Sequence, residues 1–542
     1  VEGARDLGGF DFVVVGAGAA GCVLAARLSE AGTVALVEAG GDDRNPWVHL
    51  PIGFARLVND ARVNWGYATE PEPGLDGRRV PWPRGRLLGG SGSINGLVFL
   101  RGSPGDFDLW AARGATGWAY RDVLPHFRRL ETNLVAGLDP ALHGDAGPIP
   151  VSAIARPSRV ARSFVESAVA LGFPRNADFN GAGLDGAGFL TLNTRAGRRR
   201  SSAMTYLRPA LRRGRVALFL RHRAERIIVA AGRASGVALG MPGGEAGRLT
   251  ARREVVLAAG VVNSPALLML SGLGDGAALS ALGMPVVASL PEVGRNLQDH
   301  LLARFVFRCR HPITLNDALR SPLGLARIGA EYLFRRSGPL AISAAEASLF
   351  ARVEGLPETE ARRAGPDIQF QVANFSLDSY QSGLHRFPGF VFSATVCRPE
   401  SRGIVALRDK RPATPPLIRA NYLTAEHDRL ALLAGLKLGR RIAAMPPLAG
   451  LIEAELRPGP EATSDDALLA YARATASTVF HPCGTCRMGG DAASVLDPVL
   501  RVRGVEGLRV ADASVMPTIP STNIHAATIM VAERASDLIL GR

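Results

Sequence analysis

The sequence predicts an α/β protein in which a dinucleotide-binding domain built on a parallel sheet is interleaved with a second domain, a sheet flanked by helices. Three observations carry that expectation. An apolar strand and a spaced glycine triplet open the chain; strand patterns of the same kind return in the middle and near the end; and 542 residues are too many for one compact core.

The run Phe10 to Val15 is apolar apart from Asp11, close to what a strand buried on both faces requires. Gly16, Gly18 and Gly21 follow as Gly-x-Gly-x-x-Gly. The first makes the tight turn, the second lets backbone approach a pyrophosphate, and the third packs helix on strand. A helix from about Gly18 to Ala31 would aim its first amides at the phosphates. The next strand, Val34 to Val37, ends in Glu38, where an acid takes ribose hydroxyls and disfavours a 2′-phosphate. This Rossmann-like order is more specific than the glycines alone, but it does not separate NAD from FAD.

In RGRLLGGSGSINGLVFLRG, from Arg84 to Gly102, a run of Gly89, Gly90, Ser91, Gly92 and Ser93 precedes Asn95. Apolar neighbours bracket it, so the run reads as buried, and backbone without side chains can approach a flat ring or a second phosphate. Short apolar strands with glycine turns fill Arg221 to Gly260, a meander returning to the first domain; VVNSPALLMLSGLG then adds a turn and a helix. Alternation in DIQFQVANF (Asp367 to Phe375) and GFVFSATVCRP (Gly389 to Pro399), followed by GIVALR, supplies strands of the second domain.

With 47% hydrophobic and 21% charged residues the chain reads as globular. The opening VEGARDLGGF has no apolar signal core, so the residues after it are expected to form the folded protein itself. Val255 to Gly274 is the longest apolar window, and its Asn263, Ser264, Pro265 and glycines argue against a transmembrane span. The formal charge of +14 comes from arginine, with lysine only at Lys410 and Lys437. No nucleic-acid motif accompanies it, so arginine usage rather than a nucleic-acid partner explains the charge, despite a denser zone from Arg195 to Arg226. Five scattered cysteines fit a reducing, cytoplasmic setting, with peripheral membrane association left open.

FHPCGTCRMGG, Phe480 to Gly490, invites a disulfide or zinc reading of Cys483 and Cys486. A structural zinc site wants four ligands and the other cysteines are isolated, so no metal is expected. Disulfide reductases carry their pair just after the first nucleotide motif, where this chain has no cysteine. That leaves His481. Forty-four positions on stands His525, between a strand Leu508 to Val510 that ends near Asp512 and a helix Ala526 to Leu540. Asp512 is placed for sugar or ribityl hydroxyls, and a helix start beside Asn523 and His525 would point amides at a ring oxygen. Two histidines on separate loops over a cofactor make an acid–base pair. Of the other eight, only His300 in RNLQDH is kept in view.

At these motifs the sequence resembles the glucose–methanol–choline (GMC) flavin oxidoreductases, almost end to end: VVVGAGAAGCVLAARLSE, PRGRLLGGSGSINGLVFLRG, AAGVVNSPALLMLSGLG, EVGRNLQDH, FHPCGTCRMG and the last thirty-odd residues. The look is of the bacterial choline, sorbose and alcohol dehydrogenase branch. The resemblance implies FAD and a small-molecule alcohol. His481 matches the family base, which takes the hydroxyl proton while hydride passes to flavin N5. His525 fills the family's second position, Phe480 lies against the flavin edge, and Trp65 matches a lining aromatic. Close relatives usually carry Asn where this chain has His525, and no cluster of acids with aromatics marks a quaternary-ammonium cage, which weakens a choline assignment. Covalent members carry His where this chain has Ile94, so non-covalent FAD is expected. The electron acceptor, oxygen or a quinone or cytochrome, is not legible. A lyase that keeps FAD as structure is the alternative. The FAD domain is expected over 1–155, 196–305 and 481–542, and the substrate domain over 156–195 and 306–480.

Overall fold

The computed structural model describes residues 3–379 and 382–542, so Val1 and Glu2 of the opening stretch lie outside it. Its first sheet has the spatial order Val216–Leu220, Val34–Glu38, Arg5–Val15, Ala246–Leu257, Arg233–Gly240, Arg223–Ala230, with Leu508–Val510 also on Ala246–Leu257. The first four strands and Leu508–Val510 run parallel; the 223–257 stretch is the antiparallel meander. Register aligns Val15 with Val37 and with Leu257, and Leu257 with Val510. Four strands therefore finish side by side. In open α/β sheets the crevice outside such carboxyl ends is where ligands bind.

Burial explains why these segments became strands. Phe12 to Val15 and Val34 to Val37 are buried on both faces, in one apolar cluster with the helices Ala19–Leu28 and the C-terminal His525–Leu540, which pack against each other. The first helix stops at Leu28, three residues short of the sequence expectation, where the Ser29 hydroxyl donates back to the Ala26 carbonyl.

The second sheet is antiparallel, in the order Ile452–Arg457, Leu301–Cys309, Gly389–Val396, Ile368–Ala373, Ala347–Ala351, Gly186–Phe189. Alternation divides its faces. Phe305, Phe307, Phe370, Phe390 and Phe392 pack on one side, against helices including Glu426–Ala443, while Leu302, Arg304, Gln371, Val391 and Ser393 line a cavity on the other. The helix comes close because Gly439 faces the Phe305 ring. GIVALR does not extend this sheet: Ile404–Ala406 pairs with Leu417–Arg419 in a separate ribbon, its backbone tied instead to Gly294 and Leu297. Among the described residues no helix is long and apolar enough to cross a membrane.

Candidate active site

A cavity of about 480 Å³ lies between the strand ends of the first sheet and the Arg304–Gln371–Ser393 face of the second. At its nucleotide end two glycine turns meet backbone to backbone. A Cβ on Gly21 would sit 1.8 Å from the Gly16 carbonyl oxygen, and one on Gly90 2.7 Å from Gly18 Cα. Gly18, Ala19 and Ala20 line the cavity where the first helix begins without a side-chain cap, leaving its first amides to a ligand. Glu38 accepts the N–H of Ala17 at 3.0 Å and of Gly40 at 2.8 Å; burial raises its carboxyl to about 7 against those bonds. Each oxygen keeps a lone pair for a further donor.

The second glycine run is a buried turn, Gly90–Ser93, in which the Ser91 hydroxyl accepts the Gly85 N–H at 3.1 Å. Asn95 accepts the Leu97 N–H at 3.1 Å and Arg199 Nη1 at 2.5 Å, while Arg199 also donates to the carbonyls of Val48, Gly92 and Asn95. Arg199 is fully buried among carbonyls with no carboxylate partner among the described residues, and burial lowers its pKa to about 9. Nothing in its sequence context, a run of arginines, distinguished it. Trp65 lines the cavity, stacked on Tyr67 at 5.8 Å with Arg86 and Arg223 against it. The Asp512 carboxylate is largely taken by the chain, accepting Gly260 N–H, the Ser264 hydroxyl and Ser514 N–H; it fixes the turn at the strand end and keeps one free lone pair.

His481 sits at the other end of the cavity, and its neighbours set its tautomer. The Cys397 carbonyl can only accept, so His300 Nε2, 2.9 Å away, carries a proton. In the neutral ring His300 Nδ1 is then an acceptor, and His481 Nδ1, 3.0 Å from it, must donate. His481 Nε2 is left with its lone pair towards the cavity, where the Asn523 amide donates to it at 3.0 Å. Gln371 Nε2 donates to Asn523 Oδ1 at 3.1 Å, which turns the amide nitrogen towards His481. Burial, with His300 and Arg84 nearby, holds His481 well below the usual imidazole range, and burial lowers His300 to about 4. Both rings are neutral at pH 7.

The His481 loop is held by the rest of RNLQDH. Asp299 accepts the His481 N–H at 2.9 Å and the hydroxyls of Thr478 and Tyr422, and Gln298 bridges to Ile519 and Pro517. Phe480 lines the cavity with φ of 66°, its carbonyl accepting from Arg84 at 2.9 Å. A non-glycine residue in that region is strained and persists only when its surroundings over-determine it.

The sequence expects His481 and His525 to act as a pair on a substrate oxygen; the structure bonds His481 to Asn523 and His300 and puts both histidines in one cavity. His525 opens the last helix, so its side chain starts from a different wall; its ring lies against Gly92, where a Cβ would come within 2.8 Å of Cε1. It does line the same cavity, with Nε2 buried and unpartnered and its pKa lowered to about 4 by burial, then by Arg199. Cys483 and Cys486 are buried free thiols, pushed up by burial, so neither offers a thiolate for redox or metal chemistry.

The chain matches two family models described as GMC oxidoreductase, at residues 10–302 and 399–532. It is 40% identical to the oxygen-dependent choline dehydrogenase of Brucella anthropi over 98% of this chain and 96% of that one. Against the alcohol dehydrogenase (acceptor) of Pseudomonas putida it is 38% identical over the same shares. Among solved structures, pyridoxine 4-oxidase from Mesorbium loti superposes with a TM-score of 0.87 at 30% identity, covering 98% of this chain and 99% of that one. A formate oxidase variant from Aspergillus oryzae gives 0.92 at 27%, covering 99% of each. FAD fits the residues present: open helix amides and bare glycine backbone for the phosphates, Glu38 for a ribose, and an orphaned His525 nitrogen in the cavity. Ile94, a hydrocarbon beside the glycine run, offers no atom for a covalent link. A dinucleotide cradle and a neutral imidazole at opposite ends of one cavity, in a chain alike end to end to these enzymes, thus have one explanation: this FAD-dependent oxidoreductase of CH–OH donors belongs to the GMC family.

Proposed function

We propose that the protein oxidises an uncharged primary or secondary alcohol with an apolar body to the aldehyde or ketone, with His481 Nε2 as the base. What supports this is the tautomer relay: Cys397, His300 and Gln371 together leave a lone pair on the one nitrogen of His481 that faces the cavity. A hydroxyl that displaces the Asn523 amide from that lone pair gives its proton to His481, and the released amide N–H donates instead to the substrate oxygen, which holds the carbon's hydrogen in one direction. FAD, when bound, supplies the hydride acceptor, so the alcohol loses one proton to the protein and one hydride to the cofactor. His525 Nε2 serves the cofactor side of the cavity, and Phe480, Trp65, Asp512, Ser91 and Asn95 shape the walls around it.

The substrate walls argue for the alcohol's character. Phe54, Ala373, Phe375, Leu377 and Val391 line them with Arg304, and the acids lining the cavity are Glu38 and Asp512, both at the strand ends of the first sheet. Among the described residues of these walls a quaternary ammonium would meet a guanidinium and no carboxylate, so choline is a poor substrate on this reading although a relative is named for it. Anaerobic mixing with a panel of aliphatic, aryl and quaternary-ammonium alcohols, followed by flavin absorbance, tests both claims. Aliphatic or aryl alcohols should bleach the flavin and choline should not. His481→Ala should lose about 10²–10⁴-fold in reduction rate while keeping bound FAD. Aldehyde release without bleaching, or a fully active variant, would overturn the reading.

A further inference from the structure

The helix Pro322–Arg335 is apolar on two sides. At about 100° per residue, Ile328 and Tyr332 share one side, and Leu323, Ala326, Ala330, Leu333 and Phe334 share the other. The first pair is buried: Ile328 packs in a cluster with Phe54, Phe375 and Val391, which line the substrate cavity. The second set faces outward, Leu323 at 79%, Leu333 at 63% and Phe334 at 81% exposed. Single exposed leucines need no explanation; three large apolar side chains and two alanines on one convex helical face do.

Arginines surround that face. Arg327 and Arg335 lie on the helix itself, and Arg336 follows it, its guanidinium over the Tyr332 ring. The Tyr332 hydroxyl donates to the Gly197 carbonyl, which brings up the hairpin bearing exposed Arg195 and Arg198, part of the dense arginine zone of the sequence. Among the described residues none of these five forms an ion pair. The one acid of the helix, Glu331, is occupied by the Ser337 hydroxyl at 3.0 Å and faces Arg156 at 4.0 Å.

We infer that this face is an interfacial helix that seats the enzyme on an anionic phospholipid bilayer. An apolar strip flanked by arginines is the pattern of a helix lying in the headgroup plane, its apolar side chains among acyl chains and its guanidiniums on phosphates. The face is convex, so it offers no groove to a peptide. A second copy is disfavoured by symmetry, because a two-fold contact through this strip would bring the arginine clusters together. The wall between bilayer and substrate cavity is then one helix thick.

Co-sedimentation of the FAD-loaded enzyme tests this with vesicles of phosphatidylcholine alone and of phosphatidylcholine with phosphatidylglycerol. The wild type should pellet with the anionic vesicles, less so as salt rises, and stay in solution with the neutral ones. Leu333→Glu with Phe334→Glu should abolish pelleting, and Arg327→Ala with Arg335→Ala should weaken it roughly thirtyfold. Flavin absorbance and turnover of a water-soluble alcohol should be unchanged in both, which excludes misfolding. The proposal fails if the wild type stays in the supernatant or if the variants pellet like it. Concentration-dependent dimerisation that Leu333→Glu with Phe334→Glu removes would assign the face to a second copy, and would also end it.

Discussion

His300 is fully buried, yet it decides which nitrogen of His481 carries the proton. As a positioning residue it makes a separable prediction. His300→Ala removes the acceptor of His481 Nδ1–H, so the ring can adopt the wrong tautomer, and kcat for flavin reduction should fall by about 10–100-fold with KM little changed. His300 also helps, after burial, to hold the His481 pKa down. In the proposed reaction His481 accepts a proton only when neutral, so a depressed pKa keeps it active to lower pH. Removing His300 raises that pKa, and the acid limb of the rate profile should move to higher pH. His300→Gln can accept with its carbonyl and donate to Cys397 with its amide, and should restore much of the rate. Stopped-flow reduction across pH reads all three; an unmoved acid limb would leave His300 a packing residue. The sequence showed His481 because FHPCGTCRMGG is a local pattern, but not its partners. Asn523 and His525 are two positions apart at a helix start, and which of them turns towards His481 depends on Gln371, 152 residues upstream.

Elements were legible where burial is uniform along a segment. Phe12 to Val15 and Val34 to Glu38 announce themselves because both faces are covered, and the last helix because it runs uninterrupted to the end. GIVALR was not, since an alternating triplet pairs with whichever backbone is near. Glycines inside helices carry equally hidden information, and two give opposite predictions. Gly439 in Glu426–Ala443 faces the Phe305 ring, where a Cβ would sit 2.5 Å from Cε2 and 3.2 Å from Phe370 Cε1. Phe305 is itself packed against Phe392 at 4.7 Å and cannot swing away. Gly439→Ala should therefore destabilise by about 1–3 kcal/mol, overpacking outweighing helix propensity. Gly329 in Pro322–Arg335 has nothing within 4 Å of its would-be Cβ, so Gly329→Ala should stabilise by about 0.5–1 kcal/mol where that helix unfolds with the rest. Denaturant midpoints of the two variants, compared at equal slope, decide it; equal signs would show that the close approach to Phe305 is not what keeps Gly439 small.

At the scale of the molecule, the cavity is lined by the strand ends of one sheet, by the face of the other, and by the loops of His481 and His525 that run between them. Sequence distance hid this meeting: strands of the first sheet come from three separated stretches, 5–38, 216–257 and 508–510, and those of the second from the stretches between. A ligand filling that space stabilises whatever folded state keeps both walls in place, by RT ln(1 + [L]/Kd). FAD at a thousand times its dissociation constant would contribute about 4 kcal/mol, which neither sheet holds alone. Because Ile94 offers no covalent link, FAD should be removable by mild denaturation and dialysis. The stripped protein should then melt several degrees lower and less cooperatively, with the two sheets uncoupled, and added FAD should restore a single higher transition. Calorimetry of the holo, stripped and reconstituted forms measures this. Flavin that stays on the polypeptide after denaturation would contradict the role given to Ile94. Coincident melting of stripped and loaded protein would show that the two walls are held together by their own packing, and that the cofactor contributes chemistry without cohesion.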